Sequence, residues 1–344
     1  MVSLELIRAS NSKIATSLPA GLVAVFAGAT SGIGETSVKQ FAKHTVKPRI
    51  YFIGRTKESG KRVLAELKEL NPEGDYTYIS ADLSLLANAD DICRQIKEKE
   101  TSINLLFLTT GTLLTGKDTP ESLHYPLVIT YYARTRLTLN LLPLLQHPSS
   151  APLRRVVTVF AGTKEGPIDS SDFQARNVPF LSQRGHISSM LTLSLEALAA
   201  KAPEVSFVHD FPGAVQSNLG SDLKGWGFGV AKALYKVVAP LVTQDFAEAG
   251  ERQVFFATSG RYPPAVSAEG SKEAGGVPLG EGVGVARGTD GESGSGVYSV
   301  NVDGESAGAK TERVLAQMRE EGMVDKLWAH TEGEFVRVTG VMSI

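Results

Sequence analysis

Gly28-Ala29-Thr30-Ser31-Gly32-Ile33-Gly34 is the stretch best suited to chemistry, because glycines so closely spaced let a backbone approach an anion. Such a turn binds anions when it leaves a buried strand and opens a helix, whose first N–H groups are unpaired and whose dipole is positive at that end. An apolar run, Leu22–Ala27, precedes this turn, and a helical pattern from about Gly34 to Lys43 follows it. In that setting the turn reads as a cradle for the pyrophosphate of a dinucleotide. The end of the next strand says which one. Ile53-Gly54-Arg55-Thr56-Lys57 has no acidic residue for a ribose 2′-hydroxyl and offers Arg55 and Lys57 to a 2′-phosphate. The expected cofactor is NADP(H); the alternative is a pair of surface cations at a helix start.

The elements that must carry these residues alternate regularly. After Leu22–Ala27, strands are expected at Arg49–Ile53, Tyr76–Ser80, Ile103–Thr109, Arg155–Phe160 and Val205–Asp210. Between them, helical spacing runs over Lys57–Leu70, Ala89–Glu100, Leu123–Leu145 and Gly185–Lys201. The strands show little polar alternation, which marks a parallel sheet covered on both faces. The fold class is therefore α/β, a doubly wound parallel sheet of Rossmann type with a C-terminal extension. Residues 1–262 form the dinucleotide-binding domain, with apolar helices near 222–249 placed to cover a substrate. The stretch 263–310 is rich in Gly, Ser and Glu and is expected to be a flexible insertion, with one hairpin or edge strand near Gly296–Asp303. Residues 311–344 return to helical spacing as a C-terminal helix and tail.

Composition excludes several classes. With 35 Lys+Arg against 37 Asp+Glu the formal net charge is −2, which gives no electrostatic case for nucleic acid or an anionic membrane. The single cysteine, Cys93, forms no internal disulfide and builds no thiolate metal site alone, so no metal is expected. Glu5 and Arg8 interrupt the N-terminal stretch, and Lys232 and Lys236 break the most apolar segment, Trp226–Val242. The expectation is a cytoplasmic protein without a membrane span, acting on a small molecule.

Gly-x-x-x-Gly-Ile-Gly, in place of Gly-x-Gly-x-x-Gly, resembles the glycine pattern of the short-chain dehydrogenases/reductases. Further marks follow in order. Ala81-Asp82-Leu83 resembles the family's Asp-Leu pair beside the adenine, and Leu108-Thr109-Thr110-Gly111 stands where Asn-Asn-Ala-Gly ends a strand. Phe211-Pro212-Gly213-Ala214-Val215-Gln216-Ser217 is similar to the Pro-Gly segment flanking the nicotinamide. The resemblance spans roughly residues 20 to 260. It implies that Gly28, Thr30, Ser31, Gly32, Ile33, Gly34, Arg55, Asp82, Leu83, Gly111, Pro212, Gly213 and Val215 hold the cofactor. It also implies a homo-oligomer joined through the two long helices, Leu123–Leu145 and Gly185–Lys201.

The family's chemistry needs a tyrosine acid with a lysine one helical turn later, a serine and an asparagine. None of the nine tyrosines here has lysine four positions on, and no tyrosine lies between Ala133 and Leu234. Placed by the flanking motifs, Thr130 stands at the asparagine, Ala161 at the serine, His186 at the tyrosine and Met190 at the lysine. His186 is then the candidate acid or base, since an imidazole exchanges protons near neutral pH; a hydrogen-bonded histidine without a catalytic job is the alternative. Thr130 and Ser189 are candidate hydroxyls, with Ser188 and Thr163 beside them. Asp210, at the end of the sixth strand after His209, reaches the same pocket or simply closes the strand. Three functions follow: an atypical reductase, a redox-neutral cyclase or isomerase, and a non-catalytic NADPH-binding protein. Degenerate family members of this style resemble fungal tailoring proteins of specialised metabolism, which implies a hydrophobic, polyketide-like substrate.

Overall fold

A computed structural model describes residues 1–112, 114, 116–147, 153–213, 245–266 and 275–344. Seven parallel strands form one sheet in the order β3-β2-β1-β4-β5-β6-β7. They are β1 Val23–Ala27, β2 Arg49–Gly54, β3 Asp75–Ser80, β4 Leu105–Leu108, β5 Arg155–Val159, β6 Ser206–Asp210 and β7 Val297–Val300. Strands β1, β4, β5, β6 and β7 are buried along their whole length, as a sheet covered on both faces requires. The order reverses between β1 and β4, which opens a crevice at the carboxyl ends of those strands.

Two cores lie against the sheet. On one face α3 (Gly32–His44), α4 (Lys57–Leu70) and a helix at Phe246–Thr258 bury Phe26, Phe41, Phe107 and Phe255. The N-terminal helix α1 (Leu4–Asn11), which the hydrophobic pattern did not announce, is fastened here by Asn11 Nδ2, which donates to Glu251 Oε2 at 2.6 Å. The other face is covered by α5 (Leu86–Lys97), α7 (Ala133–Gln146) and α8 (Phe180–Lys201), around Leu106, Leu137, Leu141 and Leu193. The short helices α2 (Ile14–Ser17) and α6 (Tyr125–Leu127) lead into β1 and toward α7.

The extension differs from its expected form in three ways. Of the 263–310 stretch, residues 275–308 are built into the molecule: the edge strand expected near Gly296–Asp303 is β7, paired in parallel with β6, but around it Val277, Ala286 and Thr289 are also buried. Composition misled because the many glycines supply turns, at Gly291, Gly294, Gly296 and Gly304 with positive φ. The single expected C-terminal helix is two, Ala309–Glu320 and Met323–Thr339, broken at Gly322 (φ 67°). The third difference concerns the helix pair implied as an oligomer seam, which the chain's own C-terminus covers. Tyr131 Oη and Thr331 Oγ1 lie 2.7 Å apart, as do Tyr132 Oη and His330 Nε2. Beneath the tail, buried Arg136 makes a two-pronged pair with Asp90 at 2.6 and 2.8 Å and donates to the Val341 carbonyl at 3.0 Å. The expected covering helices near 222–249 fall mostly outside the described residues.

Candidate functional site

The crevice at the switch point is a cleft of about 560 Å³ that crosses the carboxyl ends of β1 to β6. Gly28, Thr30, Ser31, Gly32, Ile33, Gly34, Arg55, Asp82, Leu83, Gly111, Pro212 and Gly213 all line it. Val215 lies outside the described residues.

One end of the cleft is made of backbone. Gly28 sits at φ +84°, and a Cβ there would stand 2.7 Å from Thr109 Oγ1 and 2.9 Å from the Thr110 nitrogen. Gly34 packs so closely that its Cβ would overlap the Gly28 carbonyl. The turn therefore tolerates no side chain at these two positions, and α3 begins within it, so that its first residues, Gly32, Ile33 and Gly34, line the cleft. Arg55 is exposed at the rim, where its Nη1 donates to Tyr125 Oη at 3.4 Å. Lys57 is exposed in the first turn of α4 and does not line the cleft. Asp82 Oδ1 accepts from the Ser84 N–H at 2.9 Å, which shapes the turn presenting Asp82 and Leu83.

The other end is made of side chains: Ile129, Arg134, Val159, Phe160, Phe211 and Pro212. His186, Thr130 and Ser189 do not line it. His186 is 1% exposed, its Nδ1 accepts from the Asp169 N–H at 3.2 Å, and its Nε2 faces the Phe173 carbonyl at 3.4 Å. An acceptor at Nδ1 leaves the proton on Nε2, and burial holds the pKa below the ordinary histidine value, so the ring is neutral near pH 7. Ser188 Oγ donates to the Ala161 carbonyl and Ser189 Oγ to the Gly166 carbonyl, each at 2.6 Å. Thr192 Oγ1 donates to Glu165 Oε1 at 2.8 Å. The polar residues of α8 thus bolt down the loop after β5. Met190 is buried in the core, and Thr130 is buried in a π-helical stretch, Val128–Tyr132.

That bolted loop carries strain. Thr163, β-branched, sits at φ 66° and is held by its N–H bond to Ser299 Oγ at 2.7 Å. His209 Nε2 accepts from the Ala161 N–H at 3.1 Å, so its protonated Nδ1 donates to Thr192 Oγ1 at 2.9 Å. Complete burial pushes the His209 pKa down to about 3. Asp210 is pushed up to about 7 by burial, against the pull of Gln253 and Arg134. It accepts from Gln253 Nε2 at 2.6 Å, and its second oxygen has no protein partner among the described residues. Sequence reasoning missed Arg134 and Tyr125. Both lie on the segment after β4, and no local motif marks them.

These features define a Rossmann-type α/β protein whose cleft joins a glycine-rich turn to an apolar end containing one buried cation, Arg134, among the described residues. Comparisons agree. Residues 22–125 match the short chain dehydrogenase family model. The chain is 38% identical over 343 residues to Oxidoreductase andH of Emericella variicolor, covering 99% of this chain and 98% of that one. It is 30% identical to Short-chain dehydrogenase/reductase SAT2 of Stachybotrys chartarum, over 96% of each chain. Among solved structures, the Pseudomonas aeruginosa RhlG/NADP active-site complex superposes with a TM-score of 0.53 at 17% identity, covering 76% of this chain and 96% of that one. The chain belongs to the short-chain dehydrogenase/reductase family.

Among the described residues, no helix is long and apolar enough to cross a membrane, and no cluster of His, Cys, Asp and Glu is arranged to hold a metal ion.

Proposed function

We propose that the cleft binds NADP(H) and that the chain is an oxidoreductase acting on a hydrophobic, polyketide-like small molecule of specialised metabolism. The observation that carries this reading is the convergence of the glycine turn, Asp82, Leu83, Gly111 and Pro212-Gly213 on one cleft with Arg55 at its rim. The residues fit the cofactor. Gly28 and Gly34 let the turn close backbone on backbone, the start of α3 supplies N–H donors to a pyrophosphate, and Arg55 with Tyr125 meets a 2′-phosphate. When bound, the reduced nicotinamide supplies a hydride. Phe160, Phe211, Pro212 and Ile129 exclude water from that end and suit an apolar substrate. A neutral, tautomer-locked His186 is a poor proton donor, and Ser189 spends its hydroxyl on the Gly166 carbonyl, so both serve the site by holding the loop after β5, while Thr130 is buried outside the cleft. The buried, unpaired Cys93 suits a cytoplasmic setting.

One observation favours a second reading, redox-neutral catalysis in the same pocket. Apart from Tyr125, which bonds Arg55 at the opposite end, no Tyr, His, Lys or Cys of the described residues lines the cleft. Turnover of a substrate with 4-deuterated NADPH separates the two. Deuterium in product is the expected result; sustained turnover with no label, using either face of the cofactor, refutes hydride transfer. Calorimetric titration checks the cofactor itself, and failure of NADPH to bind removes the first reading altogether.

A further inference from the structure

Arg134, in the first turn of α7, is a cation that nothing above employs. It is 2% exposed, yet it lines the cleft where β4 and β5 end. Nε donates to the Thr110 carbonyl at 3.0 Å, and Nη2 donates to the same oxygen. Nη1 donates to Thr158 Oγ1 at 2.6 Å and to the Val159 carbonyl at 3.0 Å. Four of the five guanidinium N–H groups are thus spent on neutral acceptors. The fifth, on Nη2, has no protein acceptor among the described residues, and no carboxylate of those residues hydrogen-bonds the group.

A buried charge held only by neutral dipoles is costly and projects its field into whatever lies beside it. Burial pushes the Arg134 pKa down to about 9, so the group remains charged at neutral pH. Asp210 offsets it in part, but that carboxyl bonds Gln253, not Arg134, and holds its proton up to about pH 7. The position of the charge along the cleft then matters. If the cofactor lies with its 2′-phosphate at Arg55 and its pyrophosphate on the Gly28–Gly34 turn, its other half covers the ends of β4, β5 and β6, where Arg134 is. The oxidised nicotinamide ring carries a formal positive charge and the reduced ring carries none.

We infer that Arg134 makes this cleft selective for the reduced cofactor, repelling the oxidised ring and so biasing the protein toward reduction. The inference rests on the NADP(H) reading, and it assigns Arg134 an electrostatic role on the cofactor in place of proton transfer.

The test is equilibrium binding and needs no substrate. Dissociation constants for NADPH and NADP⁺ are measured by calorimetry at pH 8 for wild type, Arg134→Met, Arg134→Lys and Asp210→Asn, each checked for folding by circular dichroism. Wild type is expected to bind NADPH about tenfold more tightly than NADP⁺. Arg134→Met should bring the ratio close to one, mainly by tightening NADP⁺, and Arg134→Lys should retain most of it. Asp210→Asn removes the partial counter-charge and should widen the ratio, which keeps the test decisive even where Arg134→Met does not fold. A wild-type ratio of one, an unchanged ratio in folded Arg134→Met, or a ratio that Asp210→Asn fails to widen overturns the inference and leaves the cofactor reading intact. Binding of neither form by the wild type overturns both.

Discussion

At the Arg55 end the cleft is shaped by missing side chains: Gly28 and Gly34 press backbone on backbone, and a Cβ at Gly54 would run into Thr30. At the Phe211 end it is shaped by side chains, with Phe160 stacked 6.4 Å from His209 and Arg134 threaded between two strand ends. The first end carries the glycine turn on which the resemblance to the family rests, within the range that matches its model. At the second end no tyrosine of the chain is followed by lysine four positions on, and the polar face of α8 holds the loop after β5. The first end offers backbone to the phosphates of a dinucleotide, whereas chemistry needs the second, so the two ends answer to different constraints.

The largest expected effect tests the backbone end. Gly34→Val puts a branched side chain onto the Gly28 carbonyl and Thr109 Oγ1 with nowhere to move. NADPH affinity should fall by more than about 100-fold, roughly 2.7 kcal/mol, as measured by calorimetry. A variant that binds within tenfold of wild type would show that the cradle yields, and the contrast between the two ends would lose its basis.

At the side-chain end, Thr192→Val should act on stability and not on cofactor binding. The hydroxyl links the buried side chains of Glu165 and His209; its loss strands the His209 Nδ1–H and leaves Glu165 Oε1 with the Ser299 hydroxyl as donor. Urea unfolding should show a loss of about 2–3 kcal/mol with NADPH affinity unchanged. A large fall in affinity in a protein of normal stability would mean that the cluster reaches the cofactor directly.

Arg55→Ala returns to the first end with a smaller expected change. Wild type should prefer NADPH to NADH by at least about tenfold, near 1.4 kcal/mol, and the variant should lose most of that preference while NADH affinity holds. Equal affinities in the wild type would assign Arg55 and Tyr125 to the surface.

The same contrast explains what the sequence made legible. Glycines announce backbone geometry by their identity, so the turn, the strand–helix alternation and the cleft residues through Gly213 were readable before any coordinates. Arg134, Thr192 and Gln253 announce nothing, because their partners are 24, 17 and 43 residues away in the chain and meet only through the sheet. The stretch at 275–308 was misread for a related reason. Its apolar residues are too scattered among glycines to show a period, yet Val277, Ala286, Val297, Tyr298 and Val300 are buried while Leu279 and Val285 stay exposed. His186 was a reading by position, correct about the helix and silent about which way the surrounding loop would close.

The smallest expected effect concerns that histidine, and pH makes it visible. A proton donor at position 186 would cost roughly 10²–10⁴-fold in turnover when removed. A wall residue would not. Asn can accept the Asp169 N–H and donate to the Phe173 carbonyl much as the neutral ring does, so His186→Asn should leave NADPH affinity within about twofold. Its signature lies in stability. Burial holds the folded His186 pKa below its unfolded value of about 6.5, so unfolding takes up a proton once the pH falls beneath that value. The contribution is present above about pH 6.5 and is lost as pH falls through the folded pKa, at up to about 1.4 kcal/mol per pH unit. Buried His209 and half-buried His330 act in the same direction, while Asp210, whose folded pKa is raised, acts in the opposite one above its unfolded pKa of about 3.9. The difference between wild type and variant isolates the single residue. Urea unfolding from pH 7.5 to 5 should show His186→Asn losing less stability on acidification than wild type does. Parallel curves would mean that the ring titrates alike in both states and faces solvent. An asparagine variant with the wild-type pH slope and a hundredfold loss of turnover would return His186 to the catalytic role.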